Sequence, residues 1–185
     1  MGKGKKLSFF FNGSTVGKLD DKNRFVIPQA LRYGLVEDGK LEFFIGLGLG
    51  GCLAVYKRSD IEKMVKAFKQ KQHIGKFQKF FTLFFSTLHQ TTCDKIGRVN
   101  LPQLLKNAAK IKKEVVIAGV MDKIEIWPKE VYEKNLSDVF SAEDDSLKDL
   151  TEEAFSLLAG EEKTDDSEEE KDLLKSLLST VKEPK

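Results

Sequence analysis

The chain carries one pattern twice. Gly17 to Arg32 reads GKLDDKNRFVIPQALR, and Thr92 to Lys106 reads TCDKIGRVNLPQLLK. In each copy an Asp stands four positions before an Arg (Asp20 and Arg24, Asp94 and Arg98), a short apolar run follows, and a Pro closes it eight positions after the Asp (Pro28, Pro102). A chain written this way has to fold as two related halves. Asn23 of the first copy falls where Gly97 stands in the second. These two residue types tolerate positive φ best, so the pattern predicts a left-handed residue inside a tight turn. Phe25 and Ile27 correspond to Val99 and Leu101, whereas Val26 corresponds to the polar Asn100, the two-residue alternation of a half-buried strand. Each Asp-x-x-x-Arg therefore lies in a loop entering a strand. Each Pro is expected to begin the short helix after it, where its missing N–H costs nothing.

The same order of elements extends on both sides. Leu7 to Leu19 is β-rich around Asn12-Gly13, a bulge or a turn. Gln29 to Leu35 predicts a short helix, and Lys40 to Ile45 with Cys52 to Tyr56 predict two strands joined by the glycine-rich Gly46 to Gly51. Ser59-Asp60-Ile61-Glu62 has the form of a capping box, opening a helix with Ile61, Val65 and Phe68 on one face. His73 to Phe85 carries Phe77, Phe80, Phe81, Phe84 and Phe85 at helical spacing, a stripe that reads as core or subunit interface rather than as a ligand pocket. The second half then repeats: Thr87 to Cys93 a strand, Gln103 to Ala109 a helix, Glu114 to Met121 and Lys123 to Trp127 a strand pair, and Lys129 to Leu136 a helix. Beyond this, Leu147 to Leu157 suits an amphipathic helix, Glu161 to Asp172 is an acidic run suited to solvation, and Leu173 to Val181 suits a last helix.

The overall formal charge of +2 hides a division, with 25 basic and 13 acidic residues up to Asn135 but 6 and 16 after it. A basic body with an acidic tail suggests a polyanion partner such as nucleic acid, although a soluble surface also fits. Met1 to Lys6 is basic, but the apolar run after it, Leu7 to Phe11, is too short for an export signal. The longest uncharged stretch, Phe43 to Tyr56, is below the length of a membrane helix. Cys52 and Cys93 stand apart, which suits a reducing cytoplasm.

Enzymatic readings find little support. Gly46, Gly48 and Gly51 formally match a dinucleotide fingerprint, but the strand-like Cys52-Leu53-Ala54-Val55-Tyr56 follows where a helix is required. Asp20 and Asp94 each have an Arg four residues on, so a carboxylate that caps loop N–H groups or pairs with that Arg explains them better than acid–base chemistry. His73 and His89 lack partners at ligand spacing, so no metal site is expected. Lys18, Lys22 and Arg24, with Lys95 and Arg98, concentrate positive charge at two equivalent corners. Arg can grip phosphate or read a guanine edge in a fork, with Lys as a less directional charge. The alternative is that Arg24 and Arg98 serve only as structural partners of Asp20 and Asp94.

With these residues in view, the chain resembles the MraZ family of the AbrB-like swapped-hairpin group. LDDKNRFVIPQALR, CDKIGRVNLPQLLK and EVVIAGVMDKIEIWPKEVYEK carry the resemblance, which covers about Ser8 to Leu136. It implies an α+β, β-dominated fold: two tandem, pseudo-symmetric AbrB-like swapped-hairpin halves forming a double-split β-barrel, with short helices, to which this chain adds a helical acidic C-terminal extension. The halves would be residues 8–72 and 73–136, and the extension 137–185. It also implies a cytoplasmic, nucleoid-associated transcriptional regulator that binds double-stranded DNA upstream of the division and cell-wall gene cluster, as a ring-like homo-oligomer. Arg24 and Arg98 would contact DNA with Lys22, Lys95 and Lys18 near them, and Asp20, Asp94, Asn23 and Gly97 would shape the loops. No membrane, cofactor, metal or small-molecule substrate is expected. The rival is a structural or protein-binding oligomer whose basic loops take an acidic protein partner.

Overall fold

The computed structural model describes residues 9–140; the expectations for Leu147 to Leu157, Glu161 to Asp172 and Leu173 to Val181 lie outside them. Of the described residues, 9–130 belong to one compact unit and 131–140 to a second. In chain order the first copy supplies β1 (Ser14–Lys18), β2 (Arg24–Val26), α1 (Gln29–Tyr33), β3 (Phe43–Leu47), β4 (Leu53–Lys57) and α2 (Arg58–Lys71). A 3-10 turn (Gly75–Phe77) and α3 (Gln78–Thr87) lead to the second copy, which repeats the order as β5 (His89–Thr91), β6 (Arg98–Asn100), α4 (Gln103–Ala108), β7 (Glu114–Val120), β8 (Lys123–Pro128) and α5 (Lys129–Phe140). The fold is β-rich, and both repeats contribute to every sheet.

Six strands form one antiparallel sheet in the order β1-β7-β8-β4-β3-β5, and β2 pairs with β6 in a separate two-stranded ribbon. The order is pseudo-symmetric about the β4–β8 pair. Each copy's first strand leaves its own hairpin and adds to the other's: β1 lies on β7 with Val16 opposite Val116, and β5 lies on β3 with Gln90 opposite Phe44. The buried strand faces are those of β3, β4, β7 and β8, whereas β1 and β5 are mostly exposed. Ile45, Leu53, Val55, Val115, Ile117, Ile124 and Ile126 are all essentially inaccessible, and Phe25, Ile27, Val99 and Leu101 of the ribbon join the same cluster. In β8 the pattern from Lys123 alternates half-buried and buried, with Ile124 and Ile126 inward, as a period of two demands.

Several local expectations change. Pro28 and Pro102 are caps rather than first helical residues. Their extended ψ of 144° and 137° carries the strand direction to the helix, and the Pro28 carbonyl accepts N–H bonds from Leu31 and Arg32. The predicted strand at Lys40 begins later, at Phe43, because Glu37 to Lys40 closes a tight turn with Asp38 and Gly39 at φ 51° and 74°. Positive φ at both central residues is the turn that matches strand twist. Gly46, assigned to the loop, lies in β3, where a Cβ would meet the Leu88 side chain at 2.8 Å. Gly75, in the 3-10 turn, interrupts the expected continuous helix from His73.

The capping box does not form. The helix begins at Arg58 with Lys57 as its cap, and Glu62 bonds Arg58 at 3.1 Å instead of reaching back to Ser59. The cap comes from 22 residues upstream: the Glu37 carboxylate accepts the Ser59 N–H at 3.0 Å and the Ser59 hydroxyl as well. Burial raises the Glu37 pKa, but these hydrogen bonds together with the Lys57 and Lys63 charges leave the group below its usual value. The phenylalanine stripe finds its neighbour within the chain, since Phe68 of α2 lies 5.2 Å from Phe81 and 5.9 Å from Phe80 between ring centres. Phe84 is buried, and the other four Phe of the stripe remain half-buried.

Candidate nucleic-acid interface

Each Asp-x-x-x-Arg forms the same closed loop. Asp20 Oδ1 accepts the backbone N–H groups of Lys22 and Arg24, both at 2.9 Å, and its Oδ2 takes Arg24 Nε at 2.8 Å and Nη2 at 2.7 Å. In the second copy Asp94 Oδ1 accepts from Ile96 at 3.1 Å and Arg98 at 2.9 Å, and Oδ2 takes Arg98 Nε at 2.6 Å. Asn23 and Gly97 are left-handed, at φ 56° and 91°. The carboxylate thus satisfies the donors of the turn and orients the guanidinium together. Arg24 and Arg98 are the structural partners of their aspartates, yet their side chains remain 31% and 40% exposed, so part of each five-donor fork faces outward.

These bonds hold both carboxyls low. The Arg24 side chain and then its backbone N–H bring Asp20 to about 2, and for Asp94 the Arg98 backbone N–H leads, followed by its side chain. A depressed folded-state value means that the ionised form contributes stability in full above the ordinary value of 3.8, and that the contribution is lost as pH falls towards about 2. Asp20→Asn should therefore melt a few degrees below the native protein at pH 7, with the gap constant down to pH 4 and closing below it. Thermal melts across pH 2–7 check this. No gap at neutral pH, or one that closes already at pH 6, would remove Asp20 from the loop's stability.

The two loops meet through the ribbon. Phe25 lies opposite Val99, with Arg24 opposite Asn100 and Val26 opposite Arg98. Directly opposed residues share a face, so burial of Phe25 and Val99 puts Arg24, Val26, Arg98 and Asn100 together on the outer one. On that geometry the two arginines are diagonal neighbours, about 7–8 Å apart at their α-carbons. Each loop is also bolted to the other copy. The Asn23 carbonyl accepts the Leu101 N–H at 2.9 Å, and the Gly97 carbonyl accepts the Ile27 N–H at 3.0 Å.

The bolts differ beyond the backbone. Asn23 Nδ2 donates to Gln103 Oε1 at 3.0 Å, and Lys106 Nζ donates to Asn23 Oδ1 at 2.6 Å, so α4 grips the first loop through its side chain. Under Gly97 lies Arg32 of α1, where a Cβ would come within 2.7 Å of the guanidinium carbon. A side chain at 97 would thus meet both a left-handed φ and the Arg32 guanidinium, which would have to move. Gln103, Lys106 and Arg32 were given no role in the sequence; their only signal is place, Gln103 directly after its Pro and Arg32 and Lys106 four positions after theirs.

Lys22 and Lys95 are exposed on their loops. Lys18 is placed differently from the expectation, on the sheet at the end of β1, where its Nζ lies 3.4 Å from Glu114, a carboxylate shared with Lys129. His73 and His89 fall in the turn after α2 and at the start of β5, and among the described residues no group of three His, Cys, Asp or Glu could hold a metal ion. The glycine-rich loop is followed by β4, a strand, as the sequence indicated. Burial pushes the Cys52 thiol up to about 12, and its Sγ–H donates to the Leu49 carbonyl. No helix among the described residues is long and apolar enough to cross a membrane.

Comparison with known families adds one finding. The family model described as "MraZ protein, putative antitoxin-like" matches twice in tandem, over residues 10–82 and 84–157.

Proposed function

The chain belongs to the MraZ family, and on that premise we propose that it is a sequence-specific regulator of transcription that binds double-stranded DNA through Arg24 and Arg98. The family's antitoxin-like description supports a regulatory reading. The observation that carries the reading is the ribbon's outer face, on which Arg24 and Arg98, each oriented by its own Asp, are diagonal neighbours. Arginine held in this way is pre-organised for the fork it makes with guanine O6 and N7, and Lys22 and Lys95 add phosphate contacts. Asp20, Asp94, Asn23 and Gly97 shape the loops.

Residues 8–72 and 73–136 are taken as the two halves of this reader and 137–185 as an acidic extension. One protomer offers a small contact area, so specificity calls for several protomers on repeated sites, gaining from effective concentration. We place those sites upstream of the division and cell-wall gene cluster and the protein at the nucleoid, as a ring-like homo-oligomer. The half-buried rings of α3 are its proposed contact, and a protomer-sized mass by light scattering would remove the ring.

The deciding experiment is a gel shift on DNA upstream of the protein's own gene and on a scrambled duplex, at two salt concentrations. Tighter binding to the natural sequence is expected, with affinity for both falling as salt rises. Equal binding to both would end the specific reading. No binding to either would favour the rival, an oligomer whose basic loops take an acidic protein, which the charge division at Asn135 also suits.

A further inference from the structure

The ribbon's outer face holds two residues that the loop reading leaves without a role. Val26 is 46% exposed although apolar, and Asn100, its equivalent in the repeat, is exposed too, with its carboxamide in no hydrogen bond among the described residues. Neither is needed by the core, since Phe25 and Val99 between them face inward. The cross-strand register sets the four outer side chains as a block, Arg24 beside Asn100 and Val26 beside Arg98. The aspartates nearest the block are both engaged by arginine.

A two-stranded ribbon is one of the two elements that a major groove about 12 Å wide admits. Here the strands are three residues long. Strands lie about 4.8 Å apart, so the paired backbones are narrower than the groove. The block also has the chemistry of base edges. Arginine forks onto guanine, an Asn carboxamide both donates to adenine N7 and accepts from its N6 amine, and an apolar side chain packs on the thymine C5-methyl.

We propose that the outer face of the β2–β6 ribbon enters the major groove and that Asn100 and Val26 are specificity-determining residues, Asn100 reading an adenine and Val26 a thymine methyl. This rests on the DNA-binding reading above. Its particular consequence is asymmetry: the backbone and the two arginines obey the internal two-fold, whereas Val26 and Asn100 break it. One protomer therefore reads a non-palindromic element, with guanine in both halves but adenine in one and thymine in the other. The hydrogen bonds from Leu101 to Asn23 and from Ile27 to Gly97 hold the ribbon to both loops, so the four groups approach the groove as a unit.

The test is selection of preferred sites from a random duplex library by the full-length protein and by Asn100→Ala, Asn100→Val and Val26→Ser, each checked for an unchanged melting temperature. The native protein should select the asymmetric element. Asn100→Ala should lose the adenine preference, with roughly a 5- to 100-fold fall in affinity for the native element. Asn100→Val should select a site made symmetric by a second thymine. Replacing the selected adenine with 7-deazaadenine should weaken the native protein and leave Asn100→Ala indifferent; uracil for thymine should do the same for Val26→Ser. If the native protein selects a site and all three variants select it unchanged, the inference is overturned while the DNA-binding reading stands. Should the native protein select nothing, both fall.

Discussion

Replacing Phe25 with alanine should lower the unfolding free energy by about 3–5 kcal/mol, the range for truncating a buried aromatic ring. Phe25 is 1% exposed and lies at the centre of the ribbon, opposite Val99 and within the cluster that includes Ile27, Leu31, Leu101 and Leu105. Its ring joins the ribbon to the six-stranded sheet's core, and the buried partners around it belong to both repeats, so the cavity would open where the halves interleave. Against a total stability of about 5–15 kcal/mol such a loss is large. Urea denaturation measures it, with Phe25→Leu as the milder control. A change below about 1 kcal/mol would mean that the ribbon is not seated as described. Because Arg24 and Val26 flank this ring, the folded fraction of Phe25→Ala should also bind DNA less tightly.

The second large effect is on binding. Arg24→Ala and Arg98→Ala should each weaken binding to the preferred site by about 1–3 kcal/mol. The double variant should lose close to the sum, since each guanidinium has its own aspartate and the two share no partner. Stability should fall less than in Asp20→Ala, although the Arg24 side chain is the leading partner of that carboxylate. With the arginine side chain gone, Asp20 Oδ1 still accepts the backbone N–H groups of residues 22 and 24, so the turn keeps its internal acceptor. Asp20→Ala removes that acceptor and should melt earlier. Titration on preferred and scrambled duplexes, beside thermal melts, separates the roles. Arginine variants that melt as early as the aspartate variants, with a folded fraction that binds normally, would leave Arg24 and Arg98 as structural partners alone.

Much of the loop was legible because its determinants lie within a few residues. The Asp–Arg pair spans four positions, the left-handed site is marked by Asn23 and Gly97, and the inward residues of the ribbon are marked by the alternation of Val99, Asn100 and Leu101. These interactions close inside one turn and one strand, and the Asp–Arg pair and the left-handed site each recur in the second copy. The hairpin of β7 and β8 was legible as the repeat of the first copy's strand pair; β8 alternates half-buried and buried to Pro128, whereas β7 is buried at four residues in a row. The match over both repeats then places the chain in its family.

Other features depend on partners far along the chain, which spacing does not encode. Asn23 meets Lys106 across 83 positions, Glu37 caps α2 from 22 away, and Lys18 meets Glu114 on another strand. Any of the eight strands offers the same backbone donors and acceptors, so sequence alone left open which pairs with which. In the folded chain β1 and β5 are exchanged between the copies and β2 is set against β6, and Phe25, Val99, Ile117 and Ile45, from both copies, lie in one shared core. The duplication, the turns and the inward faces were therefore written locally in the residues. The exchange of strands and the joining of two arginines on one face arose only when the halves packed, because each half alone leaves its apolar strand face open to water.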